Sequence, residues 1–196
     1  MITETVTGDA LAAHIPALAR LRITVFRDFP YLYDGSEAYE AEYLRTYTAA
    51  AQAMAVIARD GETVVGASTG LPLASESEAF RRPFEALGID PATVFYCGES
   101  VLLPAWRGRG IYRAFFDGRE AFARALGGMC WITFCGVLRP EDHALRPAGW
   151  TPLDPVWRHF GYAPEPRLQT TYDWKDIDQA ASSAHPMRFW IKALDR

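Results

Sequence analysis

The stretch from Val94 to Leu126 constrains the fold more than any other part of the chain. It reads VFYCGESVLL, then PAWRGRGIY, then RAFFDGREAFARAL. The first piece is an apolar, β-branched and aromatic run of strand length. The last piece carries Ile111, Ala114, Phe115, Gly118, Phe122 and Ala125 at helical spacing, so one helix face is apolar. Between them lie Arg107, Gly108, Arg109 and Gly110. The first amides of a helix have no intrahelical partner, and the helix dipole makes that end positive. Glycine lets a bulky anion approach the backbone closely. A strand, a Gly- and Arg-rich turn and a helix in one unit therefore make a place to hold phosphate.

The charge pattern agrees. Five arginines face two acids, Asp117 and Glu120, between Arg107 and Arg124, while the whole chain carries a net charge of −4. That overall acidity argues against general nucleic-acid binding, which shows a basic excess. At 196 residues and 49% hydrophobic, the chain can bury one well-formed core, and residues 1–196 are expected to be a single domain. Cys97, Cys130 and Cys135 have no CxxC spacing and fall in apolar runs, which suits free thiols acting as small buried hydrophobes. No pair of His or Cys has metal-ligand spacing, so no metal site is expected. No apolar run reaches the ~18 residues of a membrane span, and no signal peptide is evident. The expectation is a cytoplasmic protein.

The remaining chain reads as alternating elements. Ile2 to Thr7 is a strand, and Asp9 is placed to cap a helix that repeats Leu11, Ile15, Leu18, Leu21 and Val25 and stops near Phe29-Pro30. Ser36 caps a second helix with Tyr39, Tyr43 and Tyr47 on one face. Met54 to Ala58 and Thr63 to Ser68 are strands joined by a tight Asp60-Gly61 turn. Glu76 to Leu87 is a short helix outside the sheet. Gly127-Gly128 closes the helix after the Arg-Gly turn, and Cys130 to Val137 is the next strand. Strand, helix and strand of these lengths form a βαβ unit, so the two strands are parallel. Leu168 to Trp174 and Met187 to Leu194 are closing strands.

Arg107-Gly108-Arg109-Gly110-Ile111-Tyr112, preceded by Glu99-Ser-Val-Leu-Leu-Pro, resembles the acetyl-CoA-binding signature of the GNAT superfamily of N-acetyltransferases. The resemblance covers about residues 50 to 165. It departs at Tyr112, where the pattern has Gly or Ala. It implies an α/β fold of the α+β kind: a mixed sheet of about seven strands, helices on both faces, and a parallel strand pair that splays to admit the thioester. It also implies acetyl-CoA as acyl donor. The backbone of Val101, Leu102 and Leu103 then meets the pantetheine arm. Arg107, Gly108, Arg109, Gly110, Ile111, Tyr112 and Arg113 then meet the pyrophosphate. Leu153 to Tyr162 resembles the family segment in which a Tyr four residues before a Gly is the general acid. Here that position is Trp157, whose indole cannot protonate a thiolate.

Acetyl transfer to an amine needs a base, a polarised carbonyl and a protonated leaving group. Glu99 is the candidate base, since a carboxylate in an apolar strand is costly to bury unless paired or used. Its alternative role is a structural bond to an arginine or the backbone. Tyr112, Tyr162 and water near His143 are the candidates for the acid. Arg139 and Glu141, flanking that loop, pair with each other in the simplest reading. Tyr31, Tyr33, Asp34, Tyr39, Glu40 and Tyr43 form a dense aromatic and acidic segment that suits a cationic amine. The leading expectation is transfer to a small amine. The alternatives are a protein N-terminus or lysine as acceptor, or a non-catalytic acyl-CoA-binding module. The oligomeric state stays open, a homodimer included.

Overall fold

The structure is a computed structural model and describes residues 1–195. β1 (Ile2–Thr7), β2 (Met54–Asp60) and β3 (Thr63–Pro72) form an antiparallel meander. Gly61 at φ +55° makes the tight turn between β2 and β3. α1 (Gly8–Phe26) follows β1 and starts two residues earlier than expected. Thr7 is its N-cap residue, and Asp9 sits in the first turn, where it complements the dipole without a cap bond. Ser36 caps α2 (Glu37–Tyr43) through the Tyr39 amide, and α3 (Arg45–Ala49) follows at once. α4 (Glu78–Ala86) begins two residues after the expected start, which leaves Glu76 in the turn before it.

The Val94–Leu103 run is two strands, not one. β4 (Val94–Tyr96) and β5 (Ser100–Leu102) are separated by Cys97, Gly98 and Glu99. The register explains the break. Tyr96 pairs with Leu71 and Ser100 with Ser68, so four steps on this chain oppose three on β3. The extra residue bulges. A side chain cannot fill the bulge, because a Cβ on Gly98 would lie 1.7 Å from the Tyr47 hydroxyl.

α5 (Ile111–Leu126) crosses to β6 (Trp131–Val137), followed by α6 (Asp154–His159), β7 (Ala163–Trp174) and β8 (Ser183–Ala193). The sheet order is β1-β2-β3-β4-β6-β8-β7, with β5 also on β3, so the split run makes eight strands. β4 and β6 are parallel, as the βαβ reading requires, but only from Val94↔Trp131 to Tyr96↔Thr133. One more bond, from the Cys97 amide to the Thr133 carbonyl, ends the pairing. Beyond it, β5 pairs with β3 and β6 pairs with β8, and a gap opens between them.

Two cores flank the sheet. Residues of α1, α3 and α4 pack with Leu71, Tyr96, Val101 and Phe189 on one face. Ile111, Phe115, Phe116 and Ala123 of α5 pack with Phe95, Ile132 and Trp190 on the other, where Trp157 of α6 joins them. The gap therefore connects the two faces of one sheet.

Candidate active site

The outer end of the gap is an anion cradle. Gly108 and Gly110 have φ of 74° and 81°, a left-handed conformation that costs glycine little. A Cβ at Gly110 would meet nothing within 4 Å, so the turn faces open space. The first backbone bond of α5 runs from the Ala114 amide to the Gly110 carbonyl, leaving the amides of Ile111, Tyr112 and Arg113 without helical acceptors. No acid lies in this first turn. Arg107, Arg109 and Arg113 are exposed around it. Arg109 stacks on Trp106, and Arg113 reaches His159 and Phe160. This donor set fits a pyrophosphate.

A cleft of about 1210 Å³ runs inward from Arg107, Gly108 and Tyr112, between β5 and β6, to Phe26 and Tyr31. Along β5 the backbone groups alternate. The Glu99 carbonyl accepts from the Thr69 amide, and the Leu103 amide donates to the Val65 carbonyl. Val101, paired with Ala67 between them, also turns its amide to β3. Of the three residues expected to meet the pantetheine arm, only Leu102 keeps its backbone groups for the gap, joined by Ser100. The Leu102 carbonyl already receives the Arg107 side chain at 3.4 Å.

On the opposite face lies a pocket of about 60 Å³. Tyr31, Tyr33, Tyr39 and Tyr43 line it, as the aromatic segment suggests, together with Phe80, Tyr96, Tyr172, Trp174 and the buried cation Arg22. Four residues border both the pocket and the cleft: Phe26, Tyr31, Gly98 and Cys135. They form a doorway through the sheet where its strands part. Arg139 holds one jamb of that doorway. It grips Asp176 at 2.6 and 2.7 Å and donates to the carbonyls of Pro30 and Tyr31, rather than pairing with Glu141.

The acids of the aromatic segment take other roles than expected. Arg22, buried on α1, bridges Glu40 and Glu99 at 2.5 Å each. Glu40 also receives the Tyr33 hydroxyl at 2.8 Å. Glu99 also receives Thr69 at 2.8 Å and Tyr43 at 3.2 Å. Burial opposes the charge on Arg22, but Glu99, Tyr43 and Glu40 outweigh it and raise its pKa. Glu99 thus lines the cleft while accepting three side-chain donors, the buried Arg22 among them. Asp34 lies outside the pocket, paired with Lys175 and Arg27, and these contacts lower its pKa.

The candidate acids separate as clearly. His143 lines neither cavity; its Nδ1 accepts the Leu145 amide in a surface turn. Tyr162 is buried behind α5, with its hydroxyl on Glu120. Tyr112 lines the cleft, and its hydroxyl accepts the Trp157 indole N–H at 3.3 Å. Burial raises the Tyr112 pKa, so the phenol keeps a proton that the indole leaves free to donate. Burial also pushes the Cys135 thiol up to about 12, which keeps it un-ionised at the doorway.

Glu76 was not a candidate from sequence. Burial pushes its carboxyl up to about 7, with Glu99 adding to the rise, while the Ser77 amide bond opposes it. Its charge in turn raises the phenols of Tyr43, Tyr96 and Tyr172, which line the pocket. Nothing in its local sequence marks it, because it stands among polar residues of the turn before α4.

No family model matches the sequence, and no curated protein matches it. The structure is similar to solved acetyltransferases over almost the whole chain. A ribosomal-protein-alanine N-acetyltransferase from Brucella melitensis aligns with TM-score 0.63 and 14% identity, over 99% of this chain and 100% of that one. Arabidopsis thaliana NAA60, in complex with acetyl-CoA, aligns with TM-score 0.63 and 12% identity over 98% of each chain. A GNAT-family acetyltransferase described as putative, from Desulfovibrio desulfuricans, aligns with TM-score 0.57 and 11% identity, over 99% and 100%. With the splayed strand pair and the cradle at the start of α5, these likenesses establish that the chain has the GNAT acetyltransferase fold.

Proposed function

We propose that the protein transfers an acetyl group from acetyl-CoA to a primary amine of a small molecule. The doorway carries this reading: a long cleft with an anion cradle at its outer end meets a small aromatic pocket at Phe26, Tyr31, Gly98 and Cys135. The cradle suits a pyrophosphate, the backbone groups of Ser100 and the amide of Leu102 suit a pantetheine arm, and the thioester belongs at the doorway. Acetyl-CoA-bound structures among the similar folds support the choice of donor.

The pocket selects the acceptor. At about 10–15 Å³ per water-sized group, 60 Å³ holds roughly four to six such groups, which suits a compact amine. Ring faces stabilise an ammonium. Arg22 itself lines the pocket, over the Phe26 and Tyr43 rings, and Glu40 and Glu99 answer its charge from behind. The amine is thus held by the remaining ring faces rather than by direct contact with Asp34 or Glu40. Tyr112, steadied by Trp157, supplies a proton to the departing sulfur and replaces the tyrosine missing at position 157.

The test is incubation with acetyl-CoA and a panel of amines, read by thiol release and product mass. The panel contains ethanolamine, isobutylamine, putrescine, an N-terminal peptide and a lysine peptide. Acetylation of the small amines is expected. Transfer to the peptides alone would place the acceptor outside the pocket. Acetyl-CoA binding without any transfer would make the protein a binding module.

A further inference from the structure

Arg119 of α5 lines the cleft as a buried cation that no acid neutralises. It is only 2% exposed and makes no ion pair among the described residues. The carboxylate next to it in sequence, Glu120, is taken by Lys192 and Arg124. Its Nη1 donates to the hydroxyls of Ser100 at 2.7 Å and Ser68 at 3.2 Å, while its Nε and Nη2 have no partner among the described residues. A guanidinium cannot shed its proton, and burying one unpaired is costly. We propose that Arg119 binds the coenzyme A sulfur as it leaves as a thiolate, and holds it for protonation by Tyr112. This rests on the acetyltransferase reading and adds a catalytic residue to it.

The geometry of α5 carries the proposal. Tyr112, Phe116 and Arg119 stand at i, i+4 and i+7, in one line along the helix face that borders the cleft. The Tyr112 and Phe116 rings are 5.2 Å apart, and the guanidinium lies over the Phe116 ring at 4.3 Å. Proton donor and cation thus flank one ring. Ser100, which Nη1 holds, is the residue placed beside the pantetheine, two positions beyond Gly98 of the doorway. The amine pocket opens on the other face of the sheet. Attack from the pocket drives the sulfur toward the α5 face, where Arg119 and Tyr112 stand.

The titratable groups around Arg119 leave its charge unanswered. Burial opposes that charge, and the groups that favour it are the Cys97 thiol and the Tyr162 and Tyr112 phenols. Burial raises the pKa of all three, so each is neutral at pH 7. The thioester is neutral as well. A negative charge forms beside Arg119 only as the C–S bond breaks, so the contact is strongest in the transition state.

The step balances. The amine attacks as the free base, having left one proton in solvent. Its lone pair forms the C–N bond, and the electron pair of the C–S bond goes to sulfur. The thiolate takes the Tyr112 proton, and the second nitrogen proton restores the phenol. The products are the amide and the free thiol, with one proton released.

The test reads the thiol of bound coenzyme A. Its thiolate absorbance is followed against pH as the difference from the complex with desulfo-coenzyme A, so that the protein's own thiols and phenols cancel. In the wild type the bound thiol should titrate at least about one pH unit below free coenzyme A, the effect of an adjacent cation on an acid. In Arg119→Gln that depression should be lost. With ethanolamine and isobutylamine as acceptors, the variant should lose about 10²-fold in kcat. Its acetyl-CoA KM should stay within about threefold, because the thioester brings no charge to this position. A wild-type thiol that titrates with free coenzyme A overturns the proposal, whether or not the variant folds. So does a folded variant that keeps kcat within about twofold. A wild type that acetylates no amine of the panel removes the acetyltransferase reading itself, and this inference falls with it.

Discussion

Glu99 and Glu76 stand on the same face of the sheet, and their surroundings give them opposite chemistry. Arg22 occupies Glu99 through an ion pair, while burial pushes the Glu76 carboxyl up to about 7. A raised carboxylate has a cost. Between the unfolded value of 4.5 and the folded value of about 7, the native state binds more protons than the unfolded chain, so stability falls as pH rises through that window. Glu76→Gln should therefore be more stable than wild type by about 2 kcal/mol at pH 8, and equally stable below pH 4.5. Urea melts at the two pH values check this, and a variant less stable at pH 8 would contradict it. The sequence makes Glu99 conspicuous, because a lone acid in an apolar strand needs a reason. Its partner Arg22 is 77 positions away on an amphipathic helix, where an arginine looks like an ordinary polar-face residue. Glu76 sits among polar turn residues and is distinguished only by what folds over it.

At the scale of elements, the Arg-Gly turn was legible and the strand before it was half legible. Apolar periodicity shows that Val94 to Leu103 is extended, but it cannot show a bulge whose cause is Tyr47 from a different helix. That bulge is what parts β5 from β6. Gly98→Ala should destabilise the protein, since its Cβ would lie 1.7 Å from the Tyr47 oxygen. In Tyr47→Phe the nearest ring carbon would be 3.0 Å away, so the double variant should recover part of the loss. Thermal melts of the two single variants and the double form the cycle, and strict additivity would show that the hydroxyl does not set the bulge. The cradle makes a separate demand. Gly110→Val places a β-branched residue at φ 81° and fills the space before the helix amides. It should weaken acetyl-CoA binding at least about 10-fold, as several charge-assisted contacts are lost together. Calorimetry on the folded variant reads this directly; unchanged affinity would remove the cradle from the donor site.

Across the whole molecule, the sheet topology followed from the βαβ unit and from turn chemistry, while the acceptor pocket did not. Its tyrosines from positions 31 to 43 are dense enough to notice in one segment, but Phe80, Tyr96, Tyr172 and Trp174 come from three other parts of the chain. Asp34 and Glu40 look like ligands in a linear reading, because neither Lys175 nor Arg22 is near them in sequence. The donor side is local, built by one strand, turn and helix. The acceptor side is long-range, built where α1, α2, α4, β4, β6, β7 and β8 converge. The central claim is that the two sides meet at the doorway of Phe26, Tyr31, Gly98 and Cys135. A crystal structure with acetyl-CoA bound tests it most directly. The account predicts the pyrophosphate on the amides after Gly110, the pantetheine beside Ser100 and Leu102, and the thioester carbonyl at the doorway. A thioester lying elsewhere in the cleft, with the doorway closed by the protein's own side chains, would contradict it.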